Sequence, residues 1–454
     1  MIYSKSKNYT LYLGKMEDEL SNIDDNSIGS IVTDPPYELG FMGKSWDSSG
    51  VAFQKSTWEH CYRVLKPGGY LLAFGGSRTY HRIACAIEDA GFEIRDTVMW
   101  LYGSGFPKSM NIGLAIDKKN GVESQVVGKG KLGKEETHSS SLNMVKGGFG
   151  GEYEIKEVQN EWQGWGTALK PSFEPIIVAR KPFKGSLVDN VIEYGVGGIN
   201  IDECRVEAET NRRMCGTTEK SGETSFILGT RKETYTSQGR FPANTILTYD
   251  ETDFDEVCGG FPDTGSGNGG EPYNYSGKEY HNRGTSMFNG DKPQSCSNYN
   301  DSGSASRYFY CAKASKKDRD EGLEEFEDKQ KYYCDGRGNS LEIFGKTDGG
   351  RKPLKNIHPT VKPTELMQYL IRLVTPKGET VLDPFMGSGS TGKAVMFENN
   401  ERNANYKFIG VEMTEEYLPI CKKRIEFAQG YVSIDEIDDK KVAKTPTCVK
   451  ESLW

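Results

Sequence analysis

ETVLDPFMGSGSTGKAVMF, residues 379–397, is the stretch that decides the fold: an apolar run ending in Asp383, a glycine-serine turn, then a helical pattern. The turn fits two ligand-loop spacings. As GxxxxGK it resembles a Walker-type phosphate loop, but Ala394 stands where Ser or Thr must hold magnesium, and the nucleoside triphosphatase reading fails there. As GxGxxG it places Gly387, Gly389 and Gly392 so that backbone approaches a ligand between a strand and a helix. Working outward, helix 364–374 precedes it, and helix 391–399, strand YKFIGVE and helix 414–428 follow. The other end of the chain repeats the rhythm: YTLYLG, KMEDELSNI and SIGSIV run into Asp34, then helix 53–65, strand YLLAFG, helix 79–90 and strand FEIRDTVMW. Strand and helix in alternation predict the α/β class, a mostly parallel sheet covered on both faces, with ligands at the C-terminal ends of the strands.

Between these two halves the periodicity fades. Residues 118–164 are rich in Gly, Lys, Glu and Ser and read as an exposed insertion; PIIVARKP, 175–182, is a strand returning to the sheet. Residues 185–350 are dominated by Gly, Ser, Asn, Tyr and Asp and suit a loop-rich accessory region. The expected organisation is a catalytic half at 1–117, the insertion at 118–164, a core strand at 165–184, the accessory region at 185–350, a cofactor-binding half at 351–430 and a tail at 431–454.

Two sets of residues carry chemistry. Glu412 lies twenty residues past Gly392 at a strand end, where an acid accepts both hydroxyls of a ribose. Asp383, also at a strand tip, can receive an amine directly or through water; S-adenosylmethionine has one and NAD does not. The second set is Asp34-Pro35-Pro36-Tyr37. An exocyclic amine of adenine or cytosine is a poor nucleophile because its lone pair is delocalised into the ring, so acceptors must favour a more tetrahedral nitrogen. The Asp34 carboxylate and the Pro35 carbonyl can accept its two hydrogens, the prolines preposition both acceptors, and Tyr37 offers a ring for a flipped base.

TDPPY near the N-terminus and VLDPFMGSGST near the C-terminus resemble the S-adenosylmethionine-dependent amino-group DNA methyltransferases, in the permuted beta arrangement where the catalytic motif comes first. HPTVKP, 358–363, resembles the family's motif X, and LKPGG with LLAFGG its intermediate motifs. The resemblance covers roughly residues 1–110, 165–184 and 356–428; GWGTALKPSFEPIIVARKP and GKSWD are similar to solitary phage and prophage members. It implies a Rossmann-like core with a seven-stranded sheet and 185–350 as an inserted target-recognition region. It puts Asp34, Pro35, Pro36 and Tyr37 at the amine, and Asp383, Pro384, Phe385, Gly387, Gly389, Ser390, Thr391, Glu412, Thr360 and Lys362 at the cofactor. One position departs: members often carry an acid after the glycine of the strand matching YTLYLG, to accept from the cofactor's adenine, and here Lys15 follows Gly14.

The partner implied is double-stranded DNA, with a homodimer by analogy, no metal, and no indication of a partner nuclease. Adenine N6 is favoured over cytosine N4 because the motif begins with Asp; a non-catalytic DNA-binding protein on the same fold and an RNA or protein methyltransferase are the other readings. Lys313, Lys316, Lys317 and Arg319 beside Tyr308, Phe309 and Tyr310, together with Lys44, are candidate phosphate contacts. With 57 basic against 65 acidic residues and a net charge of -8, any DNA contact has to be local. The ten cysteines lack a CxxC pair, so reduced thiols fit better than a disulfide framework or zinc ribbon, and no signal-peptide or membrane-spanning pattern is present, so the cytoplasm is expected.

Overall fold

The computed structural model describes residues 1–40, 45–102, 109–122, 125–131, 152–206, 239–249, 309–313, 316–327 and 355–430, with short strand pairs at 212–213 and 236–237, 263–264 and 303–304, and 333–334 and 340–341. Its centre is a ten-stranded sheet whose strands are, in chain order, β1 Ile2–Lys5, β2 Tyr9–Leu13, β3 Ile28–Thr33, β4 Leu65–Phe74, β5 Glu93–Tyr102, β6 Phe173–Arg180, β7 Thr245–Tyr249, β8 Tyr310–Lys313, β9 Thr380–Asp383 and β10 Lys407–Glu412. The spatial order is β1-β2-β10-β9-β3-β4-β6-β5-β7-β8, parallel throughout except for β1 at one edge and β6 inside.

All six residues of β3 are buried, as a parallel strand covered on both faces requires. Successive residues serve opposite faces. Tyr70, Leu72 and Phe74 of β4 join Leu366, Leu370 and Ile425 from helices Thr364–Val374 and Leu418–Gln429, whereas Leu71 and Ala73 join Trp58, Ile83 and Ile87 from helices Lys55–Val64 and Tyr80–Asp89. Each such Leu or Ile contributes roughly 2 kcal/mol by leaving water.

The count of ten corrects the expected seven. A hairpin strand, β1, extends one edge, and β7 and β8 continue the other in parallel register, Ile246 beside Trp100 and Tyr310 beside Ile246. Both β7 and β8 come from residues 185–350, so that region supplies part of the sheet. Within the insertion at 118–164, Val126–Lys131 and Glu152–Lys156 make a separate hairpin, and Gln159 and Asn160 bond back to Asp117 of helix Ile112–Lys119. β6 runs antiparallel for a geometric reason. The chain leaves β5 at the C-terminal edge of the parallel strands and re-enters there, filling the slot between β4 and β5 in the reverse direction. Its first residues, Phe173 and Glu174, therefore lie at the edge where ligands bind. No helix among the described residues is long and apolar enough to cross a membrane.

Candidate active site

Three carboxylates stand at the ends of three neighbouring parallel strands: Asp34 directly after β3, Asp383 closing β9 and Glu412 closing β10. This edge opens into a cavity of about 1310 Å³ lined by residues from both halves of the chain, including Asp34, Tyr37, Glu174, Lys362, Gly387 and Glu412.

On one side lies the glycine loop. Gly387 and Gly389 adopt left-handed φ of 54° and 75°, and a Cβ on Gly387 would come within 2.9 Å of His358 Nε2. Glu412 accepts the N–H of Gly387 at 2.8 Å and of Thr414 at 2.7 Å, and burial pushes its pKa up to about 7. Asp383 is more committed than the sequence suggests. Its oxygens accept from the Thr33 hydroxyl (2.7 Å), the Thr391 hydroxyl (2.6 Å) and the Phe385 N–H (3.1 Å), so it braces the loop against β3; burial raises its pKa to about 6. Pro384, Phe385, Ser390 and Thr360 line the same cavity. His358 Nδ1 lies 2.5 Å from the Thr360 carbonyl, which only accepts, so Nδ1 carries the proton and Nε2 faces the loop as an acceptor. Burial lowers the His358 pKa to about 4, so the ring is neutral. At Gly14-Lys15, Lys15 is exposed and Glu17 lines the cavity two residues further on, an acid near the place where the family pattern expects one.

On the other side lies Asp34. The ammonium of Lys362, expected at the cofactor, lies on the Asp34-Pro35-Pro36-Tyr37 segment: 2.7 Å from Asp34 Oδ2, 3.2 Å from the Tyr37 hydroxyl and 3.4 Å from Glu174 Oε2, with the Phe74 ring centroid at 4.9 Å. Burial alone would depress its pKa, but the Asp34 and Glu174 carboxylates hold it above the usual lysine range. Tyr37 donates its hydroxyl to Glu174 Oε2 at 2.7 Å; burial, then Asp34 and Glu174, keep that phenol protonated. The other oxygen of Asp34, Oδ1, is buried and accepts no hydrogen bond from any described residue. Glu174 and His358 were not singled out as site residues in the sequence, although both stand inside quoted motifs, GWGTALKPSFEPIIVARKP and HPTVKP.

Of the expected phosphate contacts, only Lys317 and Arg319 have described side chains. Arg319 lines the cavity, and its half-buried guanidinium donates to the carbonyls of Asn356 and His358, bracing motif X. Tyr310 stacks on Tyr369 at 3.9 Å within the fold. Lys313 ends β8, Lys316 begins helix Lys316–Asp320, and their side chains lie outside the described residues, as does the whole of Lys44; Lys317 is exposed. In the loop at 38–50, the Asp47 carboxylate accepts the N–H groups of Glu38 (3.0 Å) and Leu39 (3.2 Å), while Glu38 accepts that of Gly50 at 2.7 Å, so the two ends are tied together.

A protein family described as DNA methylase matches residues 28–423. Among curated relatives, Type II methyltransferase M.HindIII of Haemophilus influenzae is 23% identical over 224 residues, 40% of this chain and 62% of that enzyme. DNA adenine methyltransferase YhdJ of Escherichia coli is 36% identical over 95 residues, 21% of this chain and 30% of that one. The match therefore spans less than two thirds of either relative. Among solved structures, PvuII DNA methyltransferase (cytosine-N4-specific) is 13% identical with a TM-score of 0.39, over 93% of this chain and 90% of that one. With the family match running from β3 through the glycine loop to helix Leu418–Gln429, this chain belongs to the DNA methylase family.

Proposed function

We propose that the protein methylates adenine N6 of a base flipped out of double-stranded DNA, using S-adenosylmethionine. The observation that carries this reading is the unmatched Asp34 Oδ1, buried at the wall of the cavity that also holds the glycine loop and Glu412. A carboxylate oxygen in that state is an acceptor set for an N–H that no described residue supplies.

S-adenosylmethionine supplies an electrophilic methyl group on sulfur. The residues fit it: Gly387 and Gly389 let the loop take left-handed turns tightly packed on His358 and Cys421 where a Cβ has no room, Glu412 keeps acceptor capacity for ribose hydroxyls beyond its two backbone bonds, and Glu17 offers an acid where Lys15 cannot accept. At the amine, Asp34 Oδ1 and the Pro35 carbonyl accept the two hydrogens and shift the nitrogen towards tetrahedral geometry, freeing its lone pair. Lys362 holds Oδ2 and so fixes the carboxyl group against rotation. The extra proton on the methylated nitrogen passes to Asp34 and on to solvent. No covalent enzyme intermediate is needed. Adenine is preferred on the Asp that opens the motif and on the naming of YhdJ as an adenine methyltransferase.

The test is to incubate the purified protein with tritiated S-adenosylmethionine and methyl-free genomic DNA, digest to nucleosides and chromatograph. Label in N6-methyladenosine is expected; label in N4-methylcytosine keeps the mechanism and changes the base, and no label removes the reading.

A further inference from the structure

The segment at 161–172 presents apolar side chains to solvent at the mouth of the catalytic cavity. Every residue in it is exposed, among them Trp162, Trp165 at 58% and Leu169 at 92%. This is not a slack loop. The Ser109 hydroxyl accepts the N–H groups of Thr167 (2.9 Å) and Ala168 (3.2 Å), the Thr167 hydroxyl accepts that of Met110 at 2.9 Å, and Ile112 donates to the Trp165 carbonyl at 3.0 Å. Trp162 and Trp165 meet edge to face at 5.3 Å. The backbone is thus fixed while Leu169 is held out of the fold, and 167–173 line the same cavity as Asp34 and Tyr37. In a chain of net charge -8, Lys15, Arg78 and Lys170 also line that cavity.

We propose that this segment is the strand-opening wedge, with Leu169 entering the DNA stack at the place vacated by the target base and Lys170 holding an adjacent phosphate. The proposal rests on the DNA-methylation reading and adds a positioning role outside the catalytic motif. A base leaving a duplex abandons two stacked neighbours, and a branched apolar side chain fills that gap while burying surface it otherwise exposes. The location is what the task requires: Leu169 sits at the rim of the cavity that receives the base, and cations beside it match the phosphate backbone.

The experiment first maps the site that wild-type protein methylates in genomic DNA, then uses two duplex oligonucleotides carrying it, one fully paired and one with an abasic residue opposite the target. Leu169→Ala is expected to lower methylation of the paired duplex about tenfold and of the abasic-partner duplex less than threefold, because the second has no pair to break. Leu169→Phe, which keeps an apolar wedge, should retain most activity on both. Equal losses of Leu169→Ala on the two duplexes, or no loss on the paired one, overturn the wedge while leaving DNA methylation intact. A concentration-dependent dimer in sedimentation that Leu169→Ala abolishes would show instead that a second copy of the chain covers this face. No methylation of any DNA by wild-type protein would remove the parent reading and the wedge with it.

Discussion

Asp34 gives Oδ2 to Lys362 and keeps a buried Oδ1 without a partner among the described residues, and this makes a sharp prediction. Asp34→Ala should abolish methyl transfer, by at least about a thousandfold from lost general-base and electrostatic assistance, yet leave the cofactor dissociation constant within about threefold. Calorimetry beside the radiolabel assay checks both, and loss of binding together with activity would assign Asp34 a structural role. Glu412 predicts a pH dependence. With its pKa raised to about 7, the carboxyl is protonated below that pH and ionised above it, and only the ionised form accepts from two ribose hydroxyls freely. Cofactor binding should therefore tighten from pH 6 to pH 8 and level off beyond, and Glu412→Gln should flatten the curve and weaken binding; a curve unchanged by the substitution would detach Glu412 from the ribose. The position of both acids was legible in the sequence because each stands at the tip of an apolar strand. That of Glu174 was not. A motif places Lys362 at the site, but only the fold shows its ammonium on Asp34, across 328 residues of chain.

At the scale of elements, the glycine loop is where conformation and space are both restricted. Gly387→Ala forces a left-handed φ of 54° on a residue with a side chain and drives its Cβ against His358, 2.9 Å away. The backbone cost alone is about 1–2 kcal/mol. Cofactor affinity should fall about tenfold or more as the loop and His358 shift, with a smaller drop in melting temperature, and unchanged affinity would show that the ligand does not approach this glycine. The strand-loop-helix unit could be read from its pattern because a buried strand, two glycines and a helix are all local signals. The reversed direction of β6 could not. An apolar run such as PIIVARKP is the same forwards and backwards, and its orientation follows from which edge of the sheet the preceding chain occupies. β7 and β8 give a weak signal for a related reason: ANTILTY and SRYFYCA are short apolar runs in a polar region, and they join the sheet by pairing with β5 and with each other rather than through any strong local preference.

At the scale of the molecule, the end of the 185–350 region is fastened to the cofactor half by a buried ionic cluster. Lys393, the lysine that gave the glycine loop its phosphate-loop look, is fully buried and donates to Asp318 Oδ1 at 2.6 Å and Glu321 Oε2 at 2.9 Å. Arg424, equally buried, lies 3.6 Å from Asp318 and also donates to the Ser388 carbonyl at 2.8 Å, and Asp318 accepts the N–H of Thr364 at 2.7 Å. One carboxylate thus joins helix Lys316–Asp320 to three cofactor-side helices. Burial pushes the Asp318 pKa up, but Lys393 and Arg424 outweigh it and hold it below the usual range, so its contribution to stability is present at neutral pH and is lost as the pH falls through that depressed value. Asp318→Ala leaves two buried cations without this partner and should cost about 3–5 kcal/mol in denaturant unfolding. The accompanying Lys393→Met should restore part of that loss, because it removes one of the stranded charges. Separate, additive effects would mean that the two side chains are not coupled and that the region from 185 to 350 is not anchored here.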